Sequence, residues 1–150
     1  MARHLQVYTH DALVVTFDPA RCIHAATCVR LLPAVFDAKA RPWIRPDAAD
    51  ATTILDVVRR CPSGALKASM EGAAVDVDGD NVALQVGRDG PLVVRGPVTI
   101  VDEHTGATLV EDVRVVLCRC GQSARKPFCD GAHRRARFRD PADGRETVHE

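Results

Sequence analysis

Large aromatic side chains are scarce in this chain: one Trp, one Tyr and four Phe among 150 residues. A small module with so few big core groups often depends on a metal or on disulfides for stability. Net charge is absent too, with 20 basic against 20 acidic residues, so composition selects no nucleic acid as partner. The longest apolar runs, "ALVV" at 12–15 and "VVLC" at 115–118, fall far short of the roughly 20 residues of a membrane span. The opening stretch "MARHLQVYTHDALVVTFDP" has no unbroken apolar region followed by a small-residue cleavage site. Internal repeats and low-complexity tracts are also missing. These absences predict a cytoplasmic protein that stays off the membrane, built as one ordinary domain or two small ones.

What the chain does have is six cysteines. In a reducing compartment they read as metal ligands or redox groups rather than as three disulfides. They fall into two sets, Cys22, Cys28 and Cys61, then Cys118, Cys120 and Cys129. The acidic, glycine-rich stretch "EGAAVDVDGDNVALQVGRDG" at 71–90 separates them. It places a domain boundary near residue 75, giving domains 1–75 and 76–150.

Local patterns predict an α+β chain. In the first half "ALVVTF" (12–17) reads as a strand, and "DATTILDVVRR" (50–60) as a helix capped by Asp50. That helix puts Ile54, Val57, Val58 and Cys61 on one face. Pro62 bars continuation, and "SGALKAS" supplies a turn and a short strand. The prolines of "RPWIRP" (41–46) favour extended backbone, with Trp43 packed in the core. The second half reads as five short strands at 82–86, 91–96, 98–101, 107–110 and 113–117, separated by Gly and Asp turns.

The C-terminal set has the spacing C-x-C-x8-C-x3-H, formed by Cys118, Cys120, Cys129 and His133. Four soft or borderline ligands so close in sequence can bind one centre without a long-range fold. Disulfides account for it poorly, because three cysteines leave one unpaired and a Cys118–Cys120 ring is very tight. Structural zinc is the competitor, since Cys3His is a common closed zinc set, although zinc sites usually space the first pair as C-x2–4-C. The whole stretch "CRCGQSARKPFCDGAH" resembles the CDGSH iron–sulfur motif, with Ser123, Pro127, Asp130, Gly131 and Ala132 also fitting, and "GPLVVRGPVTIVDEHTG" upstream is similar to the strand-rich cap of bacterial members. The resemblance implies a [2Fe-2S] cluster, with Cys118 and Cys120 on one iron and Cys129 and His133 on the other. A neutral imidazole in place of a thiolate makes the cluster less negative and easier to reduce. The direction matches Rieske centres, at roughly −150 to +300 mV against about −400 mV for all-cysteine ferredoxins. The same ligand makes the cluster acid-labile. Arg119, Arg125, Lys126, Arg134, Arg135, Arg137 and Arg139 crowd this segment, either as a solvated basic face or as cations that offset cluster charge and steer an acidic partner.

The N-terminal set is more dispersed. "CIHAATC" followed by a remote "CP" matches a cubane ferredoxin ruler, C-x2-C-x2-C with a distant Cys-Pro. Cys22 and Cys28 take the outer positions, Ala25 the middle one, and Cys61 before Pro62 the remote one. Three corners are supplied, and His24 is a candidate side chain for the fourth. "CIHAATCVRLLPAVFD", "RPWIRPD" and "CPSGAL" resemble the divergent mono-cluster ferredoxins over residues 8–70, and also the small ferredoxins that serve haem-thiolate monooxygenases. The resemblance favours [3Fe-4S], with [4Fe-4S] as the alternative.

The residues suggest no substrate chemistry: there is no nucleophile–base pattern, P-loop or dinucleotide glycine fingerprint. The expectation is a non-enzymatic electron carrier with two clusters and redox proteins as partners. Its oligomeric state is open, as monomer or homodimer. The alternatives are a cluster-transfer or redox- and pH-sensing protein, and a zinc-stabilised interaction module.

Overall fold

The computed structural model describes residues 4–74 and 81–140. The boundary expected near residue 75 lies outside the described residues. Strands β1 (Gln6–His10) and β2 (Leu13–Phe17) form a hairpin whose turn residue Asp11 has φ +50°. Helices α1 (Thr27–Leu31) and α2 (Ala51–Arg59) follow, the second leading into β3 (Leu66–Met70) and the short β4 (Ala73–Ala74). The four strands make one antiparallel sheet in sequence order.

The α2 prediction holds for the cap and for Ile54, Val57 and Val58, whereas Cys61 falls in the turn beyond the helix and is only partly buried. Asp50 accepts the backbone N–H of Thr53 at 2.9 Å and the Thr53 hydroxyl at 2.6 Å, which satisfies an orphan donor of the first turn. Ile54, Val57 and Val58 are buried against Leu13, Val15, Phe36, Ile44 and Leu66. Full burial of such a side chain contributes about 1.5–3 kcal/mol. Trp43 lies at the edge of this core, edge-on to Phe17 at 4.7 Å between centroids, with its indole N–H on Gln6 Oε1 at 3.1 Å.

In the second half β5 (Ala83–Val86), β6 (Leu92–Val101) and β7 (Thr108–Leu117) make a three-stranded antiparallel sheet. The five short strands expected there are three. The segments 91–96 and 98–101 are one strand with a register shift between Arg95 and Val98, and 107–110 joins 113–117. Gly96 and Pro97 look like strand breakers in sequence, yet they form an irregularity that pairing continues through. Gly96 has φ +102°, and a Cβ there would lie 2.3 Å from the Asn81 carbonyl oxygen, so only glycine fits this approach. The last element among the described residues is α3 (Ala132–Arg135), one short turn that carries His133.

The two sheets dock through polar bonds. Asp112, with its side chain only 4% exposed, is held by Arg21 Nη1 and by Lys67 Nζ at 2.8 Å. Arg114, fully buried on β7, reaches the carbonyls of Val58 and Leu66 in the first half. Arg95 on β6 donates to Arg59 O at 2.8 Å. Among the described residues no helix is long and apolar enough to cross a membrane.

Candidate metal centres

The C-terminal donors come from the end of β7 and the loop after it. Cys118 N donates to Pro127 O and Cys129 N to Val116 O, both at 2.8 Å, so the loop folds back along β7 and faces its cysteines toward one another. The Ser123 hydroxyl donates to Phe128 O at 2.6 Å, and the Asp130 carboxylate accepts the amides of Ala124 and Ala132, each at 2.9 Å. The small polar positions of the motif therefore build the loop.

The donors fall into two pairs. Cys118 Sγ and Cys120 Sγ are 3.9 Å apart, and Cys129 Sγ and His133 Nδ1 are 3.5 Å apart. Two thiolates on one tetrahedral metal, with bonds of about 2.3 Å, lie about 3.8 Å apart; a thiolate and an imidazole nitrogen lie about 3.5 Å apart. Each pair thus has the spacing of two ligands on one metal. Among the described residues no three His, Cys, Asp or Glu side chains converge on a single ion.

Electrostatics follow the same division. Burial pushes the Cys129 thiol up, more than the Gly131 amide pulls it down. Burial acts upward on Cys118 as well, but the amides of Ser123 and Gly121 outweigh it and its value falls. Burial, then Arg134, lowers the proton affinity of His133 and favours the neutral, ligating imidazole. Amide donors at 3.4 Å reach Cys120 from Gln122 and Cys129 from Gly131. Such bonds stabilise a sulfur that carries charge.

The N-terminal thiols come from three places: Cys22 from the loop after β2, Cys28 from α1, and Cys61 from the turn after α2. All three line one cavity of about 40 Å3, completed by apolar groups including Ile23, Ala25 and Leu66. Burial is the leading cause that raises the thiols of Cys22 and Cys28, and the charge of Cys61 adds to it. Converging thiols whose anions are disfavoured by burial and by one another suit a cationic metal core. Ala25 faces this cavity. His24 is exposed and lines instead an outer cleft of about 630 Å3 with Cys22, Cys28, Tyr8 and Trp43. Its backbone amide is 3.4 Å from Cys22 Sγ.

The two donor sets lie next to each other. Ile23, which follows Cys22, is 5% exposed and packs with Cys129 and Val116. Its carbonyl accepts Arg134 Nη1 at 2.6 Å, and Arg125 holds the Ala20 carbonyl. Arg139 bonds Asp89, and Arg119 bonds Asp140 beneath the Phe138 ring. Arg119, Arg125, Arg134 and Arg139 thus make bonds within the chain, while every cation of this segment but Arg119 is exposed, as a solvated face predicts. Sequence reasoning missed Ile23, Asp112 and Arg114; the one available signal was a charged residue on the inward side of an otherwise apolar strand, "VRVVL".

A family model described as divergent 4Fe-4S mono-cluster matches residues 8–71. A second, described as iron-binding zinc finger CDGSH type, matches residues 89–134. The uncharacterized protein YjdI of Escherichia coli (strain K12) is 45% identical over 60 residues, spanning 40% of this chain and 79% of that protein. The protein of the same name in Escherichia coli O157:H7 matches to the same extent.

Proposed function

This chain belongs to the divergent 4Fe-4S mono-cluster family and joins to it an iron-binding CDGSH-type domain, and we propose that this iron–sulfur protein is a two-cluster, one-electron carrier. Cys118 and Cys120 hold one iron of a [2Fe-2S] cluster, and Cys129 and His133 hold the other. Cys22, Cys28 and Cys61 hold a [3Fe-4S] cluster, because the middle position of the ruler is Ala25 and His24 points into the outer cleft. Bound clusters would supply reversible one-electron chemistry; the chain supplies thiolates, amide donors to sulfur and an apolar enclosure. The observation that carries the reading is the packing of Ile23, the neighbour of Cys22, with Cys129. Redox proteins are the expected partners.

The test is electron paramagnetic resonance on anaerobically purified protein, before and after dithionite, with iron, zinc and sulfide assayed on the same sample. A signal before reduction, from an oxidised [3Fe-4S] centre, and a second after it support the carrier. Silence before reduction with four irons at the N-terminal site selects [4Fe-4S] and gives the fourth corner a ligand. Zinc at the C-terminal site in place of iron overturns the carrier.

A second reading has its own observation. Gly121, Gln122, Ala124, Arg125, Lys126 and Pro127 are all exposed, so one side of the C-terminal centre faces solvent. A cluster so placed suits donation to an apo-protein or loss as a signal. Transfer of iron and sulfide to an apo-ferredoxin faster than electron exchange selects that role.

A further inference from the structure

Arg114 belongs to the second half of the chain, yet its guanidinium reaches three carbonyls of the first. It sits on β7 and is fully buried. Its Nη1 donates to Val58 O and, at 3.3 Å, to Cys61 O; its Nη2 donates to Leu66 O at 2.8 Å. Val58 lies in the last turn of α2, Cys61 in the turn that follows, and Leu66 at the start of β3. Val58 O also accepts the amide of Cys61, and the C-terminus of a helix favours a cation beside its last carbonyls. One planar guanidinium thus spans both ends of the segment 58–66 that presents Cys61, with a fork geometry a lysine ammonium lacks.

We propose that Arg114 is a positioning residue for the N-terminal centre: it fixes the turn carrying Cys61, so that this centre is completed by the second domain. The proposal rests on the reading of Cys61 as a cluster ligand. Cys22 and Cys28 are close in sequence and come from neighbouring local structure. Cys61 is the remote ligand, and its distance from the other two depends on where α2 ends. Loading of the two centres is then asymmetric: the C-terminal loop carries its own donors, whereas the N-terminal set needs a residue from the other domain.

The experiment compares wild type, Arg114→Lys, Arg114→Met and Asp112→Asn in the full chain. Asp112→Asn weakens the docking of the two sheets without touching the Cys61 turn, and because its partner Arg21 precedes Cys22 it is compared on Cys61 alkylation. Two readouts are taken: cluster content at each centre by paramagnetic resonance and visible absorption, and the alkylation rate of each cysteine in the metal-free protein. With Arg114→Lys the expected result is an N-terminal cluster content about tenfold lower, the scale set by losing a charge-assisted hydrogen bond, with the C-terminal cluster retained. Cys61 alkylation rises by a similar factor relative to Cys22 and Cys28. Retention of the C-terminal cluster shows that a variant is folded, and Arg114→Lys keeps the charge and stem if Arg114→Met does not fold. Wild-type N-terminal loading in Arg114→Lys, or an equal rise of Cys61 alkylation in Asp112→Asn, overturns the proposal. The alkylation pattern tests Arg114 even if wild type carries no cluster at Cys61, so this failure and that of the carrier are distinguishable.

Discussion

The two donor sets solve the same problem with different reach. At the C-terminal site four donors within sixteen residues, 118–133, are oriented by bonds inside their own loop, such as Ser123 to Phe128 and Asp130 to Ala124. At the N-terminal site the third thiol is 33 residues beyond Cys28 and arrives on a different element, held from outside by β7. A compact loop needs little from the tertiary fold to set ligand geometry. A dispersed set takes its geometry from packing, and here the packing includes the other domain. The difference teaches that the C-terminal set is built mostly by local bonds, although Arg125 and Arg134 also tie it to the first half, whereas the N-terminal set is assembled by tertiary packing.

The largest effect that bears on this contrast is ligand removal. Cys129→Ala should abolish the C-terminal cluster and leave the N-terminal one, whereas Cys61→Ala should do the reverse. Iron content and visible absorption after each substitution measure this. Loss of both clusters from either change would mean that the centres assemble as one unit.

Next in size is the charge pair that docks the sheets. Asp112→Asn leaves Arg21 and Lys67 facing an uncharged amide. It should lower stability by about 2 kcal/mol, the low end for a buried pair because Lys67 is 41% exposed. Chemical denaturation of the metal-free protein reads this directly. Burial raises the Asp112 carboxyl, but hydrogen bonds from Arg21 and then Lys67 outweigh it, so its value is lowered. A depressed carboxylate stabilises the fold above the ordinary value of about 3.9, and that contribution is lost as pH falls toward the folded value. Stability of wild type minus that of Asp112→Asn should therefore shrink below about pH 4; a difference flat in pH refutes the assignment.

Acid should also separate the centres. His133 is held neutral by burial and then by Arg134. A histidine with lowered proton affinity contributes nothing above the ordinary value of about 6.5 and penalises the native site increasingly as pH falls below it. The absorption of the C-terminal cluster should bleach from about pH 6 downward, ahead of the all-thiolate N-terminal one, and more slowly in His133→Cys. Equal bleaching rates for wild type and variant would exclude His133 as the weak ligand.

The smallest effect tests how closely the loops meet. Gly131 has φ +86°, and a Cβ there would stand 3.5 Å from the Ile23 carbonyl oxygen, an ordinary contact. Gly131→Ala should cost about 1 kcal/mol for the left-handed backbone alone and keep both clusters. A much greater loss, measured by thermal denaturation, would mean that the junction at Ile23 tolerates no added atom.

Much of this was legible in the residues. The Asp50 cap and the Ile54, Val57 and Val58 face follow from helical period and hydrogen-bonding chemistry, which act within a few residues. The C-terminal loop was legible for the same reason. The strand count was not. Gly96 and Pro97 carry the chemistry of a break, and only pairing with β7 across Val98 and Asp112 converts it into an irregularity. Six of the seven cations near the C-terminal site are exposed, as a solvated face predicts, but sequence gives charge and not which carbonyl or carboxylate a long side chain reaches.

By itself the sequence determined the two sets of donors, the α+β class and the chemistry that thiolates and one imidazole offer a metal, since residue type and short spacing set all of these. Only the tertiary structure decided that Ala25 rather than His24 faces the N-terminal cavity, that Ile23 joins one site to the other, and that Arg114 ends beside Cys61. Those facts depend on residues far apart in the chain, and no local pattern encodes a contact whose free energy comes from burying both partners at once.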